Sequence, residues 1–205
     1  MLPPEKERFR LICVATDPIR RFRSWHKEAI AAGAPLAESV ALATADTRGR
    51  PSVRWVLLKD ADERGFVFYT NSNSRKGREL EANPHAALAF YWDVTGKQVR
   101  VEGKVRRVSV AEADAYWDER PVASKAASAA SDQSSPLESR SALMAEYRRL
   151  TRLHEGSSAP RPSNWNGYRI SPDRIEFWTR REPRLHQREL FVRRKGVWQR
   201  SLLQP

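Results

Sequence analysis

The chain has 205 residues, with 37 Lys and Arg against 25 Asp and Glu, a formal net charge of +12. One core at this length buries about 70% of the unfolded surface, and no apolar run approaches the roughly 20 residues that cross a bilayer. The start Met1-Leu2-Pro3-Pro4-Glu5-Lys6 lacks the basic-then-apolar order of a secretory signal, Cys13 is the single cysteine, and His26, His85, His154 and His186 stand at no metal-ligand spacing. The expectation is a soluble, cytoplasmic chain without disulfide or metal. The charge raises the question of nucleic acid, but the basic residues are dispersed over many segments and no RNA-binding or zinc-finger signature occurs, so a nucleic-acid function is not expected.

Residues 1–16 read as an N-terminal arm for which disorder is admissible, and residues 17–205 as one domain. Asp17-Pro18 opens a helix, Asp as N-cap and Pro in the first turn. Ile19, Phe22, Ala29 and Ile30 share one face, and Gly33 and Pro35 stop it. Strands follow at 40–44, 52–59 and 66–70, separated by the turn clusters 47–51 and 62–65. Ser74 caps a short helix through Leu80 that Asn83-Pro84 ends, and 86–93 with 98–108 form a hairpin around Thr95-Gly96. Ser109-Val110-Ala111-Glu112 is a capping box for a helix to about Glu119. The Ala- and Ser-rich stretch 123–135 reads equally as a linker or an ordered loop. A helix over 137–154, a loop over 156–163 and strands at 168–170, 175–179, 189–194 and 197–203 complete the chain. Short strands without strand–helix alternation indicate a mainly β protein, a closed antiparallel barrel with peripheral helices.

No Gly-rich phosphate loop occurs, so a bound nucleotide would be held by side chains. Alternation over 52–59 sends Arg54 and Lys59 to opposite faces, which by itself is what any strand with two surface charges does. Arg75 and Lys76 stand at a helix start, where the dipole favours anions and not cations; that conflict suits a phosphate and suits two solvated side chains about equally. Arg184-Leu185-His186-Gln187-Arg188, close to Trp178, combines planar cations, an imidazole and an indole, a set fit for a flat anionic ligand. Taken alone, that segment is better read as a surface strand with solvated Arg and one packed Trp. If it is extended, Arg184 and His186 share a face with Arg188.

In series, Arg54-Trp55-Val56-Leu57-Leu58-Lys59, Phe68-Tyr69-Thr70-Asn71, Ser74-Arg75-Lys76-Gly77, Gln98-Val99-Arg100-Val101, Arg120-Pro121, Gln133-Ser134 and the Arg184-Leu185-His186-Gln187-Arg188 run resemble, in order and spacing from about residue 18 to Pro205, the pyridoxamine 5'-phosphate oxidase family. The resemblance implies an FMN-binding split barrel and a homodimer with FMN at the subunit interface. Its activity would be oxidation of pyridoxamine or pyridoxine 5'-phosphate to pyridoxal 5'-phosphate, with O2 reduced to H2O2. It assigns FMN contacts to Arg54, Trp55, Val56, Leu57, Tyr69, Thr70, Arg75, Lys76, Gln98, Gln133, Ser134, Trp178 and Arg188. Substrate contacts fall to Lys59, Tyr116, Arg120 and Ser124, with Arg184 and His186 both binding substrate and acting at the catalytic centre.

The match fails at two places. Where the family has Gln-Ile-Gly-Ala-Trp after the substrate-phosphate Ser, this chain has Lys125-Ala126-Ala127-Ser128-Ala129. The segment before Asp17 also lacks a clear form of the Arg- and Tyr-containing stretch of some members. Related oxidases of phenazine biosynthesis lose the same run, so an oxidase of a larger ring is the alternative enzyme. A non-catalytic flavin or pyridoxal phosphate carrier is the alternative outside catalysis. Retention of Lys59, Tyr116, Arg120 and Ser124 favours the phosphorylated vitamer.

Overall fold

A computed structural model of the protein describes residues 17–155 and 159–205; the expected N-terminal arm lies outside them. In chain order the elements are α1 (Pro18–Ala31), β1 (Ser39–Ala45), β2 (Pro51–Leu57), β3 (Asp60–Asp62), β4 (Gly65–Asn71), α2 (Arg75–Ala82), β5 (His85–Trp92), a 3-10 turn (Asp93–Thr95), β6 (Lys97–Arg107), α3 (Val110–Asp118), α4 (Val122–Ala130), α5 (Arg140–Leu153), β7 (Trp165–Thr179), β8 (Gln187–Arg194) and β9 (Val197–Leu203).

The strands form one antiparallel sheet in the order β2-β1-β5-β6-β7-β4-β3, with β8 on β7 and β9 on β8. Only Leu58 and Lys59 separate β2 from β3, the two ends of that path, so the sheet is curled into a half-barrel. A ladder that closes the curl is not among the strand pairings of the described residues. Along one edge β7 pairs β6 over Tyr168–Thr179; along the other it pairs β4 over Trp165–Ile170 and β8 over Arg174–Thr179.

The two strands expected at 168–170 and 175–179 are therefore one. The sequence break at Pro172-Asp173 is a bulge, where the register shifts opposite Glu102 and Gly103, and a bulge is where a strand tolerates a residue without an N–H. Gly103 permits it, because a Cβ there would lie 2.2 Å from the Ser171 carbonyl oxygen.

Helix α1 forms as expected, the Asp17 side chain accepting from the Ile19 N–H at 2.9 Å, and seals the inner face of the sheet. Phe22, 1% exposed, meets Phe66 edge-on at 4.8 Å between centroids and Phe90 at 4.9 Å. Ile30 keeps the phase of that face but is 56% exposed, because burial ends before the last turn of the helix does. Arg21 pins the helix to β8 through Glu189 at 2.6 Å while its guanidinium lies 4.5 Å from the Phe177 ring.

Three further expectations change. Residues 60–62, left between the expected strand 52–59 and the turn cluster at 62–65, pair with β4 as β3. The stretch left open between linker and loop begins with the helix α4, as its alanines favour. The capping box is half made: Ser109 Oγ accepts from the Glu112 N–H at 3.1 Å, but the Glu112 carboxylate turns to Arg169 at 2.5 Å instead of to the Ser109 N–H.

Candidate active site

A cleft of about 680 Å³ opens between the β2–β3 corner, β4, α3 and α4. It gathers Trp55, Val56, Leu57, Lys59, Tyr69, Thr70, Lys76, Tyr116, Arg120, Ser124 and Gln133, residues far apart in sequence that the family pattern had singled out. Aromatic stacking stiffens one wall, Tyr69 lying 4.2 Å from Tyr116 and 5.0 Å from Trp165 between ring centroids. Burial, then the neighbouring Glu112 and Tyr116, push the Tyr69 hydroxyl up to about 12, so it stays protonated.

One cationic set is built at the start of α2. Ser74 caps the helix through the Gly77 N–H. Gly77 is required there because a Cβ would lie 2.1 Å from the Ser72 carbonyl oxygen. That close approach fixes Lys76, whose Nζ donates to Thr70 Oγ1 and Gln133 Oε1, both at 3.0 Å. Lys76 is buried and has no carboxylate partner among the described residues; burial, with Arg54 nearby, lowers its pKa to about 8.

Arg54 points to the opposite side of β2 and meets Glu79 at 3.2 Å, and Arg75 reaches the same carboxylate at 2.9 Å. Burial would raise the pKa of Glu79, yet hydrogen bonds from Ser52, Thr44, Arg75 and Arg54 hold it at about 2. Three cations and one carboxylate leave two positive charges, the charge that a phosphate dianion neutralises.

The second cationic set follows α3. Arg120 lies over the rings of Trp165 and Trp117, at 4.7 and 5.2 Å, and donates through Nη2 to the Ser124 carbonyl at 3.2 Å. Its Nη1 is buried without a hydrogen-bond partner among the described residues, and burial lowers its pKa. A buried guanidinium with an unmet N–H beside a cleft has a donor left for an acceptor, and a charged one suits it best.

The remaining candidates lie elsewhere. Gln98, Trp178 and Arg188 form a row across β6, β7 and β8. His186 leans on Trp178, its ring centroid 4.6 Å away, and Nδ1 accepts from the Arg181 N–H at 3.2 Å. The buried Glu176 holds Arg188 through Nε at 2.8 Å, while Nη1 donates to the Gln204 carbonyl.

The expected alternation through Arg184 does not occur, because β8 begins only at Gln187 and Arg184 occupies a turn with φ of 84°. Ser134 too has positive φ, 78°; non-glycine residues held there often mark ligand sites. Trp165 lines the cleft and Trp178 is thirteen residues further along β7, on the order of 40 Å of strand. Within one chain the cleft and the row stand apart.

Several contributors were not singled out from sequence. Glu119, Ser131 and Trp165 line the cleft, and Glu79 and Glu176 orient the arginines. The i,i+4 pair Arg75–Glu79 was the one signal available for them.

The family model of pyridoxamine 5'-phosphate oxidase matches residues 26–154, and that of the pyridoxine 5'-phosphate oxidase C-terminal dimerisation region matches residues 165–205. A pyridoxine/pyridoxamine 5'-phosphate oxidase of Rubrobacter xylanophilus is 53% identical over 92% of this chain and 87% of its own length. One from Myxococcus xanthus is 48% identical over 95% and 94%. Among solved structures, PhzG from Burkholderia lata 383, in complex with tetrahydrophenazine-1-carboxylic acid, aligns with a TM-score of 0.89 at 38% identity, covering 92% of this chain and 93% of that one. An FMN-binding protein of Nostoc punctiforme shares the fold, with a TM-score of 0.74 at 19% identity over 94% of this chain and 100% of that one. With both family models covering most of its length and relatives near half identity across it, the chain belongs to the pyridoxamine 5'-phosphate oxidase family.

Proposed function

We propose that the protein is an FMN-dependent oxidase that converts pyridoxamine 5'-phosphate, pyridoxine 5'-phosphate or both to pyridoxal 5'-phosphate, O2 leaving as H2O2 and, for the amine, water entering and ammonia leaving. The observation that carries this reading is that one cleft is lined by two cationic sets, Lys76 with Thr70 and Gln133, and Arg120 with Lys59, Tyr116 and Ser124. A phosphorylated cofactor and a phosphorylated substrate need two such sets; a phosphate-free ring needs one. The donors fit FMN: Lys76, Arg54 and Arg75 would hold its phosphate, and Trp55, Val56, Leu57 and Tyr69 would border its ring. Bound there, FMN supplies the electron chemistry, accepting a hydride from the carbon that becomes the aldehyde and delivering the electrons to O2.

The protein's part is then positional. Arg120, Lys59, Tyr116 and Ser124 would anchor the substrate phosphate, and Arg184 and His186 would orient its ring. Because the cleft and the Gln98–Trp178–Arg188 row stand apart within one chain, we propose a homodimer in which the cleft of one subunit meets the row of its partner around FMN; the match of residues 165–205 to a dimerisation region supports this. A curl closed into a full split barrel belongs to the same reading.

The second reading, an oxidase of a larger ring, draws on the likeness to PhzG and on the small residues Ala127 and Ser128 in the cleft wall. The assay that decides is peroxide release by the purified yellow protein with each vitamer phosphate and its unphosphorylated form. Turnover confined to the phosphorylated forms is expected. A colourless protein that takes up no FMN sinks the flavin reading, and equal turnover of both forms removes the reason for the second cationic set.

A further inference from the structure

Lys125 opens the run in which this chain departs from the family pattern, and its side chain is 6% exposed without lining the cleft. Nζ donates to the carbonyl of Asp118, the last residue of α3, at 3.0 Å. A buried ammonium with a neutral acceptor is unfavourable unless its surroundings compensate, and here the unpaired carbonyls and negative dipole end of α3 do so in part. Between Asp118 and Lys125 the chain carries Arg120, Pro121 and Ser124, all at the cleft wall. A second bond crosses the same turn in the opposite sense, from Arg120 Nη2 to the Ser124 carbonyl at 3.2 Å. Two side chains thus brace one turn: Arg120 ties α3's end to α4, and Lys125 ties α4 back to α3.

We infer that Lys125 is a positioning residue, which holds α4 against the end of α3 and so fixes Arg120 and Ser124 where a phosphate meets them. The inference rests on the proposed role of Arg120. Lys125 touches neither ligand and acts through the turn alone.

The test is a double-mutant cycle on the FMN-loaded protein with pyridoxal 5'-phosphate as probe, its affinity measured by equilibrium dialysis. Lys125→Met keeps the apolar stem and removes the ammonium. It should weaken binding about tenfold and raise KM for pyridoxamine 5'-phosphate with little change in kcat or flavin content, while adding nothing in an Arg120→Ala background. If Lys125→Met does not fold, Lys125→Gln gives the same comparison. A loss at Arg120 with none at Lys125 overturns this inference alone. So does a further loss on adding Lys125→Met to Arg120→Ala, which would mean that Lys125 acts elsewhere. An Arg120→Ala variant that binds as the parent does overturns the phosphate reading and this inference with it.

Discussion

Lys76 is the residue at which burial and charge conflict most directly. Its pKa of about 8 lies below the ordinary 10.5, so between those values the unfolded chain holds more protons than the folded one. Its effect on stability is therefore least favourable below pH 8 and improves as pH rises to about 10.5. Binding of a phosphate should run the other way, because the anion needs the ammonium. FMN affinity of the apoprotein should be level up to about pH 8 and fall above it. Lys76→Met should weaken binding by about 1.5–3 kcal/mol at neutral pH and abolish the inflection, which a flavin-fluorescence titration from pH 6.5 to 9.5 would show. An inflection that survives in the variant assigns the titration to another group. At the row, Arg184→Ala or His186→Ala should slow anaerobic flavin reduction by roughly ten- to a hundredfold, about 1.4–2.7 kcal/mol, with the spectrum of bound FMN nearly unchanged; reduction at the parent's rate would make the segment structural. The cations of the candidate site were legible in sequence chiefly through the family resemblance, the conflict of Arg75 and Lys76 with the dipole at a helix start being evenly balanced by itself. Glu79 and Glu176 were not, since a carboxylate beside a proposed anion site runs against charge intuition. Its reason appears only when the fold brings Arg54 of β2 to Glu79 of α2.

The elements that carry the cleft were mostly readable, because hydrophobic alternation and turn residues act locally: β1, β2, β4 and the β5–β6 hairpin stand within a residue or two of where the pattern puts them. What was misread depends on long-range pairing. The gap between the two expected strands at Pro172-Asp173 closes only when β6 is laid beside it and Asp173 falls as the extra residue opposite the Glu102–Gly103 step, and α4 is poor in helical periodicity because, apart from Val122 and the buried Lys125, it is made of Ala and Ser. Glycine placement separates packing of elements from shaping of the site. At Gly167 of β7 a Cβ would sit 2.6 Å from the Tyr69 ring and 2.5 Å from Val108, so Gly167→Ala should cost about 1–3 kcal/mol and also weaken FMN, because Tyr69 is stacked between Tyr116 and Trp165. Gly65→Ala, whose Cβ would meet the Ile170 carbonyl oxygen at 2.0 Å, should lower stability and leave the affinity of the folded protein for FMN as it is. Chemical denaturation paired with flavin titration on both variants checks the contrast. Equal losses of affinity would mean that the aromatic wall has no part in binding.

At the scale of the molecule, the division of candidates into a cleft and a distant row gives physical content to dimerisation, which no feature of composition or charge announced. β7 is the reason for the division: the strand that starts at the cleft with Trp165 carries Trp178 and its neighbours on β6 and β8 away from it. If two subunits related by a twofold axis exchange these halves, each site draws its cleft from one chain and its row from the other. Two variants can then be made that are each inactive as homodimers, one with Lys76→Met and Arg120→Ala in the cleft, the other with Arg184→Ala and His186→Ala at the row. A heterodimer of the two, isolated through different affinity tags, contains one site in which both halves are intact and one in which both are damaged. Its activity per dimer should be about half that of the parent. Were each site built from a single chain, every site in the heterodimer would carry damage and no activity would return.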